Sequence, residues 1–233
     1  MRLATYAFIF ARGGSKGLKG KNLLPLSGVP LLAHSIRAAQ KCSLISEVYV
    51  STDDEKILNC AINYGAKVIH RPKQLALDDS PEWLAWQHAI NFLSQEGVDF
   101  DRFISLPCTA PLRLNIDIVS ALNMLDDSCD IVITASEASR NPWFNMIQLN
   151  SSGEARLVID DNNFSRRQDA PVCYDMTTVA YVSRPSHILR SNGLWDGRVK
   201  ASIVPRSRSL DIDTKFDLEL GNAIFSSNPD LYE

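Results

Sequence analysis

The stretch FIFARGGSKGLKGKN, residues 8–22, joins a short apolar run to a loop rich in glycine and lysine. The apolar residues 3–10 predict a buried first β-strand. The loop then carries backbone N–H groups and cationic side chains beyond the carboxyl end of that strand, where open α/β sheets bind their ligands. We therefore predict a phosphate-binding loop that contains four cations, Arg12, Lys16, Lys19 and Lys21.

Two common phosphate-binding patterns do not account for this loop. The Walker pattern GxxxxGK[ST] fails because Asn22 stands where Ser or Thr is required, and the dinucleotide pattern GxGxxG is absent. The alternative is an ordinary surface turn in which Gly13, Gly14 and Gly17 are flanked by solvated lysines. Four cations within ten residues favour phosphate binding, because each can contribute about 4 kcal/mol of attraction before desolvation.

Outward from the loop, strand-like and helix-like segments alternate. Strands are predicted at 3–10, 47–52, 66–70, 101–106 and 130–135, and helices at 30–41, 54–64, 81–96 and 114–126. This alternation predicts a doubly wound, mostly parallel, Rossmann-like α/β sheet with helices on both faces. We expect residues 1–233 to form a single domain.

A β insertion is predicted at 140–175, where the helical period fades. Two strand-like runs, 144–149 and 155–159, flank the hairpin-turn sequence NSSG. The main pattern then resumes with strands at 176–183 and 199–204 and helices at 186–191 and after Asp213, which we predict to be an N-cap.

Composition narrows the function classes. A net charge of −3 gives no general attraction to nucleic acid. Five dispersed cysteines without a CxxC pair indicate neither a disulfide framework nor a zinc site. No apolar run reaches membrane-spanning length, and the first leads into Arg-Gly-Gly rather than a cleavage site. We expect a cytoplasmic protein without nucleic-acid or membrane partners.

An acidic pair follows in the sequence LDIDT, residues 210–214. Asp211 and Asp213 are two residues apart, so both carboxylates point the same way if the backbone is extended. Such oxygen ligands suit Mg²⁺ bridged to substrate phosphates. The alternative is that Asp213 caps the following helix and Asp211 is solvated.

Two further segments are candidates for substrate contact. The sequence TAPLR, residues 109–113, follows a predicted strand and is expected at the same edge of the sheet as the phosphate loop. A tight proline turn explains this sequence equally well. The basic run SRRQD, residues 165–169, can reach an acidic substrate or a partner subunit, or can be a solvated charge pair.

The strings ARGGSKGLKGKNL, STDDEKI, LALDDS, TAPLR and SLDIDT, in this order, resemble the acylneuraminate cytidylyltransferase family, also called CMP-sialic acid synthetases. The resemblance runs nearly end to end. It implies an enzyme that joins CTP to a nine-carbon sugar acid, uses Mg²⁺ and releases pyrophosphate. It also implies a homodimer in which the 140–175 extension crosses to the partner and Arg167 acts in trans.

The resemblance also implies roles for individual residues. Nucleotide-binding roles fall on Ala11, Arg12, Gly13, Gly14, Lys21, Asn22, Arg71 and Ser80. Catalytic roles fall on Arg12, Lys21 and Asp211, and metal-binding roles on Asp211 and Asp213. Sugar-binding roles fall on Thr109, Arg113, Phe144, Arg167, Gln168, Tyr174 and Asp175.

Two departures concern the sugar. Members that use N-acetylneuraminate typically carry QPTSPLR and FRPNG, where this chain has LPCTAPLR and YDMTT, so that Asp175 replaces an arginine. The strings NPWFN and RQDAPVCYDM resemble the legionaminate-activating branch instead. A carboxylate can accept a hydrogen bond from an amide N–H of a diamino sugar. Pseudaminate, N-acetylneuraminate and octulosonate stay open as substrates, as does a non-catalytic nucleotide-binding regulator.

Overall fold

The computed structural model describes residues 3–14, 17–160, 164 and 166–232. Lys16 of the predicted phosphate loop and Ser165 of the basic run lie outside the described residues. The strands are β1 Thr5–Phe10, β2 Pro25–Leu26, β3 Val29–Pro30, β4 Glu47–Thr52, β5 Lys67–His70, β6 Arg102–Ser105, β7 Ile131–Glu137, β8 Ile147–Leu149, β9 Ala155–Leu157, β10 Tyr174–Ser183 and β11 Val199–Ile203. The α-helices are α1 Leu31–Lys41, α2 Glu55–Asn63, α3 Glu82–Gln95, α4 Asn115–Met124, α5 Pro185–Arg190, α6 Lys215–Ser227 and α7 Pro229–Tyr232.

Seven strands form the central sheet in the order β11-β7-β10-β6-β1-β4-β5. The pairs β1–β4, β1–β6, β4–β5 and β11–β7 are parallel, whereas β10 is antiparallel to both of its neighbours. The prediction of a doubly wound, mostly parallel α/β sheet is confirmed.

Both faces of the sheet are covered, and β1 shows how the sequence divides between them. Ala7 and Ile9 point into the core formed with α1, α2, α4 and α6. Phe8 points the other way, into an aromatic cluster with Trp83 and Trp86 of α3. Alternate residues of a strand face opposite sides, so a strand buried on both faces reads as one continuous apolar run.

The antiparallel strand β10 determines where the insertion leaves the sheet. Tyr174 at the start of β10 pairs with Glu137 at the end of β7. Residues 138–173 therefore begin and end at the carboxyl edge of the parallel strands. Within them β8 and β9 pair as the predicted hairpin, and the Asn150 side chain accepts hydrogen bonds from the N–H groups of Ser152 and Glu154.

The prediction that Asp213 caps the last long helix is wrong by one residue. The N-cap of α6 is Thr214, whose hydroxyl accepts a hydrogen bond from the Asp217 N–H. The Asp217 carboxylate in turn accepts from the Thr214 N–H at 2.7 Å, which completes a capping box. This arrangement leaves the Asp213 carboxylate available for other contacts.

The small hairpin of β2 and β3 was not predicted, because its strands have only two residues each. No helix within the described residues is both long enough and apolar enough to span a membrane.

Candidate active site

A cleft of about 530 Å³ opens at the carboxyl edge of the sheet. Its walls come from the end of β1, the loop after β6, the middle of β10 and the segment before α6. Arg12, Lys21, Asn22, Thr109, Thr178 and Asp213 are among its lining residues. The structure thus brings together the phosphate loop, the TAPLR segment and the acidic pair, which are far apart in the sequence.

The start of the phosphate loop is held by contacts on both sides. The Asn22 side-chain amide donates to the Arg12 carbonyl at 3.0 Å, and the Gly13 N–H donates to Asp53 Oδ1 at 3.1 Å. A Cβ atom on Gly13 would lie 2.9 Å from Asp54 Oδ2, whereas one on Gly14 would have no atom within 4 Å. The close approach of the loop to α2 therefore requires glycine at position 13.

Both candidate catalytic cations are paired with carboxylates. Arg12 Nη1 lies 2.9 Å from Asp78 Oδ1, and Lys21 Nζ lies 2.6 Å from Asp213 Oδ1. Each pair is partly open to the cleft, where solvent weakens its attraction. A bound polyphosphate can therefore compete for both cations.

Asp211 lies beside Thr109 and Thr178, and one of its carboxylate oxygens is a candidate ligand for a metal ion. Its Oδ1 is buried and accepts no hydrogen bond from the described residues. Burial raises the pKa of the Asp211 carboxyl and the nearby Asp213 charge raises it further, while the hydroxyls of Thr109 and Thr178 lower it. A buried carboxylate oxygen without a hydrogen-bond partner lowers the stability of the folded protein unless a ligand satisfies it.

Asp211 and Asp213 fit Mg²⁺ as a pair of oxygen donors. The described residues contain no group of three or more His, Cys, Asp or Glu placed to hold a metal ion. Mg²⁺ commonly takes one or two protein carboxylates and completes its shell with water and substrate phosphates. The donor set therefore suits a metal bound together with a nucleotide.

A second, smaller cavity of about 230 Å³ adjoins the cleft. Phe10, Leu75 and Leu77 give it apolar walls, and Arg71, Ser80 and Glu82 contribute polar groups. The buried Ser80 hydroxyl has no hydrogen-bond partner in the described part of the chain, so it is available to a ligand.

Arg71 forms one side of this smaller cavity. Its guanidinium lies over the Phe10 ring, 5.5 Å from the centroid, and donates to the Ser51 carbonyl at 2.7 Å. Burial lowers the pKa of Arg71, and the charges of Glu82 and Asp53 oppose that shift. The cation is therefore rigidly held next to the aromatic ring.

Arg113 is directed into the protein and not toward the cleft. Only 4% of the residue is exposed, and its guanidinium donates to the Val179 carbonyl at 2.8 Å, to Ser35 Oγ at 2.7 Å and to the Pro107 carbonyl. Burial lowers its pKa to about 10. The Arg113 side chain therefore links three segments of the protein through hydrogen bonds. Its contact with the sugar stays a prediction.

The predicted sugar-binding residues of the insertion lie apart from the cleft. Arg167 donates to the Ala138 carbonyl at 2.8 Å and, with Gln168, lines a separate cavity of about 410 Å³. Phe144, Tyr174 and Asp175 are exposed and are not among the described residues that line the cleft or the smaller cavity. A single chain does not bring these residues to the acidic pair.

Two cleft residues were not singled out individually from the sequence, although the resemblance implies that the region 78–82, which contains Glu82, lies near the cytosine. Glu82 is the first residue of α3 and lines both the cleft and the smaller cavity. Glu82 reaches solvent through the cleft. Burial of its carboxyl among the surrounding protein atoms nevertheless raises the pKa of Glu82. Thr178 lies in an irregular part of β10, next to Asp211. The Asp79-Ser-Pro-Glu82 sequence could have suggested a helix start, but neither residue belongs to a recognisable motif.

Residues 6–83, which include the phosphate loop, match the family model described as cytidylyltransferase. The chain is 30% identical over 221 residues to the CMP-N,N'-diacetyllegionaminic acid synthase of Campylobacter jejuni, covering 94% of this chain and 93% of that protein. The chain belongs to the acylneuraminate cytidylyltransferase family. A pseudaminic acid cytidylyltransferase of Campylobacter jejuni is also 30% identical to this cytidylyltransferase over 221 residues, covering 94% of each chain.

Structural comparison supports the same fold. The solved structure of a CMP:2-keto-3-deoxy-manno-octonic acid synthetase complexed with CTP superposes with a TM-score of 0.73. The match covers 97% of this cytidylyltransferase and 99% of that chain, at 18% identity. At this identity the likeness concerns the fold alone. The identity to the sequence relatives shows that the chain is a nucleotidyltransferase.

Proposed function

We propose that this cytidylyltransferase transfers CMP from CTP to the anomeric hydroxyl of a nonulosonic acid, with legionaminate as the favoured acceptor, and releases pyrophosphate. The observation that carries the proposal is the contact of Lys21 with Asp213, 2.6 Å apart, near Asp211, whose buried Oδ1 has no hydrogen-bond partner among the described residues. Cations for a triphosphate and oxygen donors for its metal stand at one edge of the sheet.

The nucleotide is expected to lie across both cavities. The cation-lined cleft suits the triphosphate, with Arg12 and Lys21 stabilising charge on the β- and γ-phosphates. The hydrogen bond from the Asn22 side chain to the Arg12 carbonyl stabilises the loop. Ala11, Gly13 and Gly14 form the adjoining backbone. The smaller cavity suits the base, next to Arg71 and Ser80.

The reaction is in-line attack of the sugar hydroxyl on the α-phosphate, with positioning and charge neutralisation as the main catalytic terms. Asp211 and Asp213 would hold Mg²⁺, which when bound polarises the phosphate oxygens and favours ionisation of the attacking hydroxyl. Thr109 and Thr178 orient the Asp211 side chain. Lys21 is released from Asp213 when it turns to the phosphates.

The proposed preference for legionaminate rests on Asp175 and on the named relatives. Asp175 is exposed near the start of β10, where it can accept a hydrogen bond from an acylamino N–H of a diamino sugar. One relative is named as a CMP-N,N'-diacetyllegionaminic acid synthase, and two N-acetyl groups supply such amide N–H groups; another is named as a pseudaminic acid cytidylyltransferase. Pseudaminate is therefore the nearest alternative acceptor.

We further propose a cytoplasmic homodimer in which the insertion completes the partner's site. The insertion carries a group of exposed apolar side chains: Phe144, Met146, Ile147, Leu149, Val158 and Val172. A group of exposed apolar side chains on one insertion favours the burial of that surface against another subunit. Pairing would also bring Arg167 or Gln168 to the second cleft.

Pyrophosphate release from CTP and Mg²⁺ tests the function directly. The acceptor panel should contain legionaminate, pseudaminate, N-acetylneuraminate and an octulosonate. We expect legionaminate to give the highest kcat/KM. Preference for another nonulosonate would keep the activity and overturn the sugar assignment, and binding of CTP without turnover of any acceptor would favour a regulator.

A further inference from the structure

Glu82 occupies the junction between the two cavities of the nucleotide site. The cleft and the smaller cavity have three lining residues in common, Phe10, Arg12 and Glu82. Arg12 is the cation of this group and belongs to the phosphate loop. Glu82 introduces a carboxylate that is not one of the metal-binding pair, at a place where its negative charge would repel phosphates.

The smaller cavity has the chemistry of a site for a flat heterocycle. It combines an aromatic ring and two leucines with a few polar groups that converge on the enclosed space. The cleft, with Lys21 and Asp213, has the chemistry of a triphosphate site instead. This assignment rests on the proposed use of a nucleoside triphosphate.

The Glu82 carboxylate is oriented by a tryptophan. The indole Nε1 of Trp86 donates to Glu82 Oε1 at 3.0 Å. Trp86 is buried and packs against Phe103 and Tyr181, so its indole is held firmly. Among the described residues, no other hydrogen bond reaches this carboxylate. The second oxygen, Oε2, is left to a ligand.

We propose that Glu82 selects cytosine over uracil by accepting a hydrogen bond from the 4-amino group of the base. Carboxylates read cytosine in this way elsewhere, because the amino group is a donor and carboxylate oxygens only accept. Uracil has a carbonyl oxygen at that position, and two acceptors facing each other repel. The expected discrimination in kcat/KM is roughly ten- to hundredfold.

The hydrogen bond from Trp86 determines which way an amide at position 82 would face. In Glu82→Gln, the indole N–H of Trp86 can donate only to the amide oxygen, so the NH₂ group faces the base. An amide donor matches the uracil carbonyl and conflicts with the cytosine amino group. The substitution should therefore invert the preference and not merely weaken it. Glu82→Ala, which offers neither donor nor acceptor, should remove the preference without inverting it.

The experiment measures kcat/KM for CTP and UTP with one saturating acceptor, and Kd for both nucleotides by calorimetry without acceptor. We expect the CTP/UTP ratio to fall below one in Glu82→Gln and to approach one in Glu82→Ala. Glu96→Gln, an exposed change at the other end of α3, should retain the ratio of the unchanged protein.

An unchanged CTP/UTP ratio in folded Glu82→Gln and Glu82→Ala would overturn the role of Glu82, as would an absence of preference in the unchanged protein. Circular dichroism of each variant checks the fold. If the unchanged protein bound CTP more tightly than UTP but turned over no sugar acid, the proposed function would fail while the calorimetric ratios still decided the role of Glu82.

Discussion

Lys21 Nζ and Asp213 Oδ1 lie 2.6 Å apart although 192 residues separate them in the sequence. The pair joins the loop after β1 to the segment before α6. It also places the cation of the phosphate loop in contact with one carboxylate of the proposed metal site. In the proposed function, nucleotide binding and metal binding are therefore linked through the Lys21 side chain.

Lys21→Ala should lower kcat/KM for CTP by on the order of a hundredfold, which corresponds to about 3 kcal/mol of lost transition-state stabilisation. Steady-state pyrophosphate release measures the change. Lys19→Ala removes a cation from an exposed position in the same loop and should have little effect. Equal losses in the two variants would mean that net loop charge, and not the position of Lys21, determines activity.

Asp211→Asn should weaken divalent-ion binding in the presence of CTP at least tenfold, because a neutral amide replaces a carboxylate whose Oδ1 has no partner among the described residues. Mn²⁺ titration followed by electron paramagnetic resonance gives the affinity independently of turnover. Asp213→Asn should weaken it as well and should free Lys21. Asp99→Asn, on an exposed loop, serves as the control. Unchanged Mn²⁺ affinity in both site variants would contradict the metal assignment.

Gly13→Ala should raise KM for CTP about tenfold, equivalent to about 1.4 kcal/mol. The new methyl group would lie within 3 Å of the Asp54 side chain, which cannot move easily because it accepts hydrogen bonds from Lys56 and Ile57 at the start of α2. Gly193→Ala, at a glycine outside the cleft where an added Cβ meets no atom within 4 Å, is the matched control. If the two variants had the same KM, contact with α2 would not define the loop.

Leu149→Asp should convert the proposed dimer to a monomer. This side chain is 66% exposed on β8 and belongs to the apolar group of the insertion. Ile62→Asp, a comparable change of a 55% exposed residue on α2, should leave the mass unchanged. Sedimentation velocity distinguishes the species. A monomeric unchanged protein would remove the basis for a shared site.

Arg113→Lys should lower the free energy of unfolding by about 2–4 kcal/mol, because one ammonium cannot satisfy the buried Val179, Ser35 and Pro107 acceptors together. Urea denaturation measures the loss. Arg156→Lys on exposed β9 should cost less than about 0.5 kcal/mol. Unchanged stability together with a raised KM for the sugar would instead support the predicted sugar contact.

The fold was predictable because its signals are local. Strand and helix periods need only short windows, and β1, β4 and α2 lie within two residues of their predicted bounds. Parallel strands also bring their carboxyl ends together, which allowed the phosphate loop and the TAPLR segment to be expected at one edge of the sheet.

The parts that escaped prediction depend on tertiary contacts. The TAPLR sequence does not show that Arg113 turns inward, because its acceptors come from α1 and β10. Thr214 replaced Asp213 as the N-cap because Asp217 completes a capping box with it. The resemblance implies only that the region 78–82 lies near the cytosine, whereas the place of the Glu82 carboxylate between the two cavities depends on its contact with Trp86.

Glu137 and Tyr174 are paired neighbours on adjacent strands, so residues 138–173 leave the sheet and return to it at almost the same point. Such a segment can grow, shrink or be exchanged without changing the register of any strand. In the proposed function, the contacts that choose the acceptor sugar thus lie in an exchangeable segment, whereas the contacts to the nucleotide lie in the sheet and its loops.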